Sequence, residues 1–259
     1  MQGLKGKTAM VTGASGGIGT AVCRRLAAEG VKLALIDIRK EVLDQEKEML
    51  IRDCGLAPED ILALPLNVTD EEAMIGAGDE IVKYFGRIDI DVNIAGGGPR
   101  GKERVPFNET KREIWQSSVE LNMVGTILAC EAVVNHMIRQ EYGKIINFGS
   151  QQGVIGGATN VAVYSAAKGA NIAFTKSLAK ELSAHNIRVN CISPGLIWNE
   201  ARHSQLTPEI LNQLKANMWL KDVGQPEDIA SLVAFLASGE SDYITGQNFN
   251  IDGGTSLGW

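Results

Sequence analysis

The sequence predicts an α/β protein: a doubly wound, mostly parallel sheet of seven strands with helices on both faces. Three observations carry that prediction. Short β-branched or aliphatic runs alternate with helix-like segments along the whole chain, the alternation that builds βαβ units. Most of these runs are apolar without interruption, as strands covered on both faces must be. Finally, no Pro/Ser-rich linker, no repeat of roughly 20–50 residues and no charge block divides the chain. A single domain of residues 1–259 is therefore expected, with a small substrate lid at about 198–221.

Taken in order, Thr8–Gly13 (TAMVTG) is the first strand candidate; Val31–Asp37, Ile61–Val68, Ile88–Gly96, Gly143–Ser150, Ile187–Gly195 and Gly246–Gly254 follow. After the first strand, Ile18, Val22 and Leu26 recur at i, i+4 and i+8 on one helical face, and Gly30 is placed to end that helix. Thr69 and Glu72 in TDEEA have capping-box spacing and predict the start of the helix after the third strand. Pro226 in GQPEDIASLVAFLAS suits a first helical turn, where no amide hydrogen is needed. The fourth strand is irregular, because Asp91 and Asn93 interrupt the apolar run IDIDVNIAG. A carboxylate there must be paired, protonated or near a sheet end, since burying it bare is costly. The sequence names no partner for it.

Composition sets outer bounds. The 259 residues are 44% hydrophobic and 22% charged, enough to bury a sizeable core. A net charge of −6 opposes binding to polyanions, which argues against nucleic acid or a membrane surface as partner. Cys23, Cys54, Cys130 and Cys191 are scattered, with no C-x-x-C spacing and no histidine in ligand order; free thiols and no metal site are expected. His136, His185 and His203 show no arrangement for catalysis or metal binding. No segment approaches the ~18 consecutive apolar residues of a membrane span and the N-terminus is unlike a signal peptide, so a cytoplasmic location is expected.

TGASGGIG, Thr12 to Gly19, joins the first strand to the first helix. Gly13, Gly17 and Gly19 give G-x-x-x-G-x-G, a variant of the dinucleotide fingerprint. That chemistry needs a tight turn, a backbone that closely approaches a pyrophosphate, and a helix N-terminus whose free amides favour negative charge. Asp37 lies 20 residues beyond Gly17 at the end of the second strand, where an acid bonds a ribose 2′-hydroxyl. A carboxylate there repels a 2′-phosphate, so NAD is expected over NADP. Arg39, two residues on, is expected to be a solvated strand-end cation.

Tyr164 and Lys168 in YSAAK are four residues apart, which in a helix puts their Cβ atoms on one face about 5–6 Å apart. Hydride transfer between a nicotinamide and an alcohol or carbonyl also requires a proton to move on the substrate oxygen. A phenol with a pKa of about 10 does this at neutral pH when its phenolate is stabilised, and a neighbouring ammonium supplies that stabilisation. On this reading Tyr164 is the acid/base and Lys168 tunes it. Ser150, just past the fifth strand at the carboxyl edge of the sheet, is placed to bond the reacting oxygen.

These motifs, in this order, resemble the short-chain dehydrogenase/reductase family in its single-domain branch. TGASGGIG, LNVTD, the LN of Leu121–Asn122, INFGS, YSAAK, VNCISPG and ITGQNFNIDGG carry the resemblance from about Lys7 to Gly254. It implies a Rossmann fold and a catalytic set of Ser150, Tyr164 and Lys168, completed by Asn122, which in the family holds a water that connects the lysine to solvent. It implies that Lys168 also bonds the nicotinamide ribose. Further cofactor contacts are implied for Gly13, Ser15, Gly17, Ile18, Gly19, Asp37 and Ile38, for Asn67 and Val68 around the adenine, and for Asn93, Ala95 and Gly96. Pro194, Gly195, Ile197 and Asn199 fall around the nicotinamide. A homotetramer or homodimer is implied as well, with the C-terminal GTSLGW placed to reach a neighbouring subunit. Two positions depart from the family pattern: its NNAG is here Asn93-Ile94-Ala95-Gly96, and Asn199 stands where a Thr is frequent.

The expected function is NAD-dependent hydride exchange with a small-molecule secondary alcohol or ketone. A 3-oxoacyl thioester reductase stays open because ITGQ resembles those enzymes too, as does, in another class, a catalytically silent NAD-binding sensor or scaffold. Gln151, Gln152, Trp198 and the loop Gly96–Arg104 should border the active-site mouth, with Gln152 and Trp198 as candidate substrate contacts. Arg100, Lys102 and Arg104 have the charge to attract a carboxylate, a phosphate or a thioester carrier, although a solvated loop partly neutralised by Glu103 is the favoured account of them. The segment from Trp198 to Lys221, with Met218 and Trp219, is expected to cover an apolar or ring-shaped substrate or to pack at a subunit contact.

Overall fold

The computed structural model of the protein describes residues 1–99, 104–156, 158–199, 207–216 and 218–256. Arg100, Lys102, Glu103 and His203, together with the last three residues of GTSLGW, lie outside the described residues, as does part of the expected lid.

Seven strands form one sheet: β1 (Thr8–Thr12), β2 (Lys32–Asp37), β3 (Ile61–Pro65), β4 (Ile90–Asn93), β5 (Gly143–Phe148), β6 (Ile187–Pro194) and β7 (Asn248–Ile251). The spatial order is β3-β2-β1-β4-β5-β6-β7 and every pair is parallel. Each strand is shorter than its sequence run by the residues that turn into the adjoining loops. Growth of the sheet reverses direction between β1 and β4, so the crevice outside their carboxyl ends is the topological switch point where such sheets bind ligands.

The described helices are α1 (Gly17–Ala28), α2 (Lys40–Cys54), α3 (Glu71–Phe85), α4 (Arg112–Val119), α5 (Gly125–Gln140), α6 (Gln151–Ile155), α7 (Ala162–Leu182), α8 (Pro208–Ala216) and α9 (Pro226–Ala237). Because strand side chains alternate faces, the sheet divides its apolar residues between two cores. Ala9, Val11, Leu33, Leu35, Ile90 and Val92 meet α1, α2 and α9 on one face. Met10, Ala34, Ile36, Ile145 and Val189 meet α3, α5 and α7 on the other.

The local signals hold with one correction. Gly30 follows α1 with φ +77°, and Pro226 opens α9 behind a Gln225–Asp228 capping box. The start of α3, however, is capped by Asp70, whose carboxylate accepts from the Ala73 amide at 3.1 Å. Thr69 is not the cap, because Asn67 Oδ1 accepts its amide at 3.1 Å and folds residues 67–69 into an Asx turn ahead of the helix.

A second correction concerns α4 and α5. They are joined by a wide turn at Glu120–Val124 into one helical run, Arg112–Gln140, long and apolar enough by composition alone to span a membrane. Half of its most apolar stretch is buried within the protein, and α5 packs on α3 so closely that a Cβ on Gly78 would lie 2.0 Å from the Ala132 carbonyl oxygen. Small residues (Gly125, Ala129, Ala132) make this possible and also hid the run from a search for large apolar side chains.

The irregular strand finds its explanation in a polar pocket inside the second core. Asp91 is fully buried and accepts from Asn93 Nδ2 at 2.7 Å; the same amide reaches Asn147 Oδ1 at 3.0 Å, and Asn147 Nδ2 donates to Thr175 Oγ1 at 3.0 Å. The network thus crosses from β4 to β5 and α7. No cation pairs with Asp91 among the described residues, and burial pushes its carboxyl up to about 8 despite the opposing bond from Asn93. Ile94, the apolar departure from NNAG, packs against the first core.

Candidate active site

The glycine loop between β1 and α1 is a cradle that side chains would fill. Gly13 has φ +66°, and a Cβ there would stand 3.0 Å from the Ala95 backbone. A Cβ on Gly19 would lie 2.0 Å from the Gly13 carbonyl oxygen. The loop is closed by Gly16 N donating to Gly13 O at 3.0 Å and fastened to β2 by Ala14 N donating to Ile36 O at 3.1 Å. Gly16 caps α1 without a side-chain hydrogen bond, so no side chain competes for the amides of the first turn. These features fit a pyrophosphate.

Asp37 closes one end of the crevice. Ser15 Oγ donates to its Oδ2 at 2.6 Å, while Arg39 donates to its Oδ1 from the backbone amide at 3.2 Å and from Nε at 3.4 Å. Burial pushes this carboxyl up, but the bonds from Ser15 and Arg39 outweigh it and hold the pKa below the usual carboxylate range. Arg39 is therefore not merely solvated: it is ion-paired to Asp37, and its Nη2 also donates to Ser15 Oγ at 3.1 Å. Ile38 beside them is 65% exposed, Asn67 is held in its Asx turn, and Val68 is buried against α5 at Gly125.

At the other end, the loops after β4, β5 and β6 converge. Ala95 N donates to Thr12 Oγ1 at 3.2 Å. Gly96 takes φ +154°, where a Cβ would stand 2.6 Å from Asn122 Oδ1 and 3.1 Å from Lys168 Nζ. Asn122 sits in the wide turn between α4 and α5, and its side chain grips Gly97 from both sides, accepting from N at 2.9 Å and donating to O at 3.0 Å. Gly195 N donates to Ile251 O at 2.8 Å, Ile197 bridges to Gly224, and the Asn199 amide nitrogen lies 3.4 Å from the point a Gly17 Cβ would occupy. The loop after β6 is thus laid over the glycine cradle.

Tyr164 and Lys168 lie one turn apart on α7, as their spacing predicted. The Tyr164 ring would be 3.7 Å from a Cβ on Gly98. Lys168 is buried, and its Nζ donates to Phe148 O at 3.0 Å; burial pulls its pKa down to about 8, with Cys191 nearby acting in the opposite direction. Ser150 caps α6, its Oγ accepting from Gln152 N at 3.2 Å. A Cβ on Gly153 of α6 would lie 2.7 Å from Lys168 C, so small residues on both helices let Ser150 and the Tyr164–Lys168 face approach.

The remaining candidates are placed as follows. Gln152 Oε1 accepts from the Ala158 amide at 2.8 Å, which ties its own loop together. Trp198 is half-buried, and its amide donates to Gly224 O at 2.7 Å. Arg104 Nη2 donates to Thr159 O at 3.4 Å, and His136 meets Asp79 at 3.1 Å. Sequence reading missed Asn171, whose buried Nδ2 donates to Asn122 O at 2.8 Å and to Phe148 O at 3.1 Å, joining the elements that carry Asn122 and Lys168. Its position three residues after Lys168 on a small-residue helix was the available signal.

Comparison with known proteins agrees with this geometry. A family model described as enoyl-(acyl carrier protein) reductase matches residues 13–256. The 3-oxoacyl-[acyl-carrier-protein] reductase FabG of Thermotoga maritima is 37% identical over 254 residues, covering 97% of this chain and 98% of that protein. The cyclohexanol dehydrogenase of Rhodococcus sp. (strain TK6) is 35% identical over 268 residues, covering 97% and 96%. Among solved structures, an NAD+-bound xylitol dehydrogenase superposes with a TM-score of 0.90 at 34% identity, covering 98% of this chain and 100% of that one.

Proposed function

The chain belongs to the short-chain dehydrogenase/reductase family, and from that premise we propose that it is an NAD-dependent enzyme exchanging a hydride with a secondary alcohol or ketone, with Tyr164 as acid/base. The observation that carries the reading is the meeting of Lys168 Nζ, Asn122 Oδ1 and the Gly96 backbone outside β4 and β5, on the α7 turn that Tyr164 shares.

The nicotinamide, when bound, supplies the acceptor or donor of the hydride. The chain handles the proton. Lys168, held by the Phe148 carbonyl, places positive charge beside Tyr164 and favours its phenolate, which takes the proton of the alcohol O–H during oxidation and returns it during reduction. Ser150 Oγ accepts from Gln152 N, which leaves its own hydrogen to donate to the substrate oxygen. Lys168 would also bond the nicotinamide ribose, and Asn122 would hold a water through which the amine exchanges protons with solvent, as family membership implies.

NAD over NADP rests on Asp37, a carboxylate that Ser15 and Arg39 keep ionised at the ribose end. The likeness to a xylitol dehydrogenase solved with NAD+ bound supports the same choice. A second reading, reduction of a 3-oxoacyl thioester, is favoured by the similarity to FabG. The proposal extends to a homodimer or homotetramer in the cytoplasm, on the strength of family membership.

The test measures NADH and NADPH oxidation with cyclic ketones, acyclic ketones and an acetoacetyl thioester, for the parent chain and Tyr164→Phe. A ketone substrate with NADH, lost by about 10²–10⁴-fold in the Phe variant, is expected. Undiminished turnover in Tyr164→Phe refutes the acid/base assignment, and preference for the thioester establishes the second reading.

A further inference from the structure

The ammonium of Lys168 lies between two walls of backbone. One is the Phe148 carbonyl at the end of β5, which accepts from Nζ at 3.0 Å. The other is the loop after β4, where a Cβ on Gly96 would stand 3.1 Å from Nζ and 2.6 Å from Asn122 Oδ1. Asn122 grips that loop at Gly97 through both its oxygen and its nitrogen, so the place of the second wall is set by the wide turn at Glu120–Val124 that carries Asn122.

Asn171, one turn beyond Lys168 on α7, bonds to both sides with a single nitrogen. Its Nδ2 donates to Phe148 O at 3.1 Å and to Asn122 O at 2.8 Å, with Thr126 Oγ1 at 3.2 Å as a third acceptor. The side chain has no exposure, and its Oδ1 has no hydrogen-bond partner among the described residues. Burying an amide is unfavourable unless its hydrogens are bonded, and here they go to the backbone around the catalytic lysine. A carbonyl oxygen has two lone pairs. Phe148 O is therefore filled by Lys168 and Asn171 together, and neither donor has it alone.

Resting on the roles given to Tyr164 and Lys168 above, we propose that Asn171 is a positioning residue for proton transfer: its amide fixes the Phe148 carbonyl against the Asn122 turn and so keeps the Lys168 ammonium beside the Tyr164 phenol. With no exposure of its own, Asn171 acts only through these neighbours. When the amide nitrogen is removed, Phe148 O draws Lys168 alone and the Asn122 turn is released from the end of β5. Both changes take positive charge away from the phenol, and its ionised form is stabilised less.

The experiment titrates Tyr164 in the full chain, without and with NAD, and needs no turnover. The signal is the phenolate absorbance of each protein minus that of its Tyr164→Phe counterpart, which removes Tyr84, Tyr142 and Tyr243. Asn171→Leu, close in volume and unable to donate, should raise the Tyr164 midpoint by about one pH unit. Lys168→Met should raise it further, toward about 10. Adding Asn171→Leu to Lys168→Met should move the midpoint by less than about 0.3 unit, because the group through which Asn171 acts is gone. Cys191, a titratable neighbour of Lys168 on β6, is the same in every variant. A residue that only held the fold together would lower stability and leave the midpoint in place. Should Asn171→Leu not fold, as judged by circular dichroism, Asn171→Ser is smaller, too short to span both walls, and carries the same expectation. An unmoved midpoint in a folded Asn171 variant, or an equal shift in the Lys168→Met background, would overturn the proposal. The two assignments fail separately: a shift in Lys168→Met with none in Asn171→Leu removes Asn171 alone, whereas no shift in Lys168→Met removes the tuning role of the lysine and the proposal with it.

Discussion

Replacing Asp91 by Asn exchanges one buried carboxyl oxygen for an amide and removes a proton-binding group from the middle of the sheet. Asp91 has no exposure, its backbone neighbours in register are Met10 on β1 and Ile145 on β5, and its Oδ1 has no hydrogen-bond partner among the described residues. Burial raises its pKa to about 8, against 3.8 for an ordinary aspartate. Between those two values the folded chain holds a proton that the unfolded chain has released. Stability from this group is therefore fully present below about pH 4 and is lost as pH rises through about 8. The slope is about 1.4 kcal/mol per pH unit, so by pH 7 the parent has lost about 4 kcal/mol relative to acid conditions. Asp91→Asn keeps an oxygen to accept from Asn93 and binds no proton, so it lacks the slope. Urea unfolding of both proteins at pH 4.5, 6, 7.5 and 8.5 isolates the effect, because the other titrating groups cancel in the difference. The variant should gain on the parent steadily up to about pH 8 and hold its advantage beyond. A difference that stays constant across this range would refute the claim that Asp91 is folded in its neutral form. Asp91→Leu should show the same pH pattern, with a separate, constant offset for the lost bond to Asn93.

Three further outcomes follow from the cofactor crevice and the α7 face. Asp37→Ser removes a charge that would stand about 4–5 Å from a 2′-phosphate and releases Arg39; at an effective dielectric of about 40–80 this is worth about 2–4 kcal/mol, so kcat/KM for NADPH relative to NADH should rise about 30- to 1000-fold, and an unchanged ratio would remove Asp37 from cofactor selection. Gly19→Ala places a methyl 2.0 Å from the Gly13 carbonyl and should weaken NADH binding at least about ten-fold in a fluorescence titration, with wild-type affinity disproving the tight cradle. Lys168→Met removes the cation that favours the Tyr164 phenolate, so the rise of alcohol oxidation with pH should move upward toward about 10, with kcat/KM at pH 7 reduced at least about 100-fold; an unshifted profile would show that the amine does not tune the phenol.

Periodicity and spacing made much of the architecture legible. Apolar runs separated by helical repeats identified all seven strands, since a strand buried on both faces cannot contain many polar residues. The spacing of Gly13, Gly17 and Gly19 marked the glycine loop, in which Gly13 and Gly19 answer steric demands that a side chain could not meet. The Tyr164–Lys168 pair was visible because α-helical geometry turns a separation of four into a shared face. Cap chemistry was less certain at a boundary: Thr69 and Asp70 are both competent caps, and the choice between them depended on where Asn67 turned the chain.

By itself, then, the sequence determined the order of elements, the glycine loop, the acid at the end of β2 and the face of α7, all of which follow from contacts between residues close along the chain. Tertiary structure decided the rest. It chose Arg39 as the partner of Asp37, joined Asp91 to Asn93, Asn147 and Thr175 across three elements, and brought Asn171 under the Asn122 turn. The physical reason is that these groups meet only after the sheet has formed and its helices have packed. Their pairing depends on distances that no local periodicity encodes, and the protonation of Asp91 and Lys168 depends on burial that only the packed interior creates.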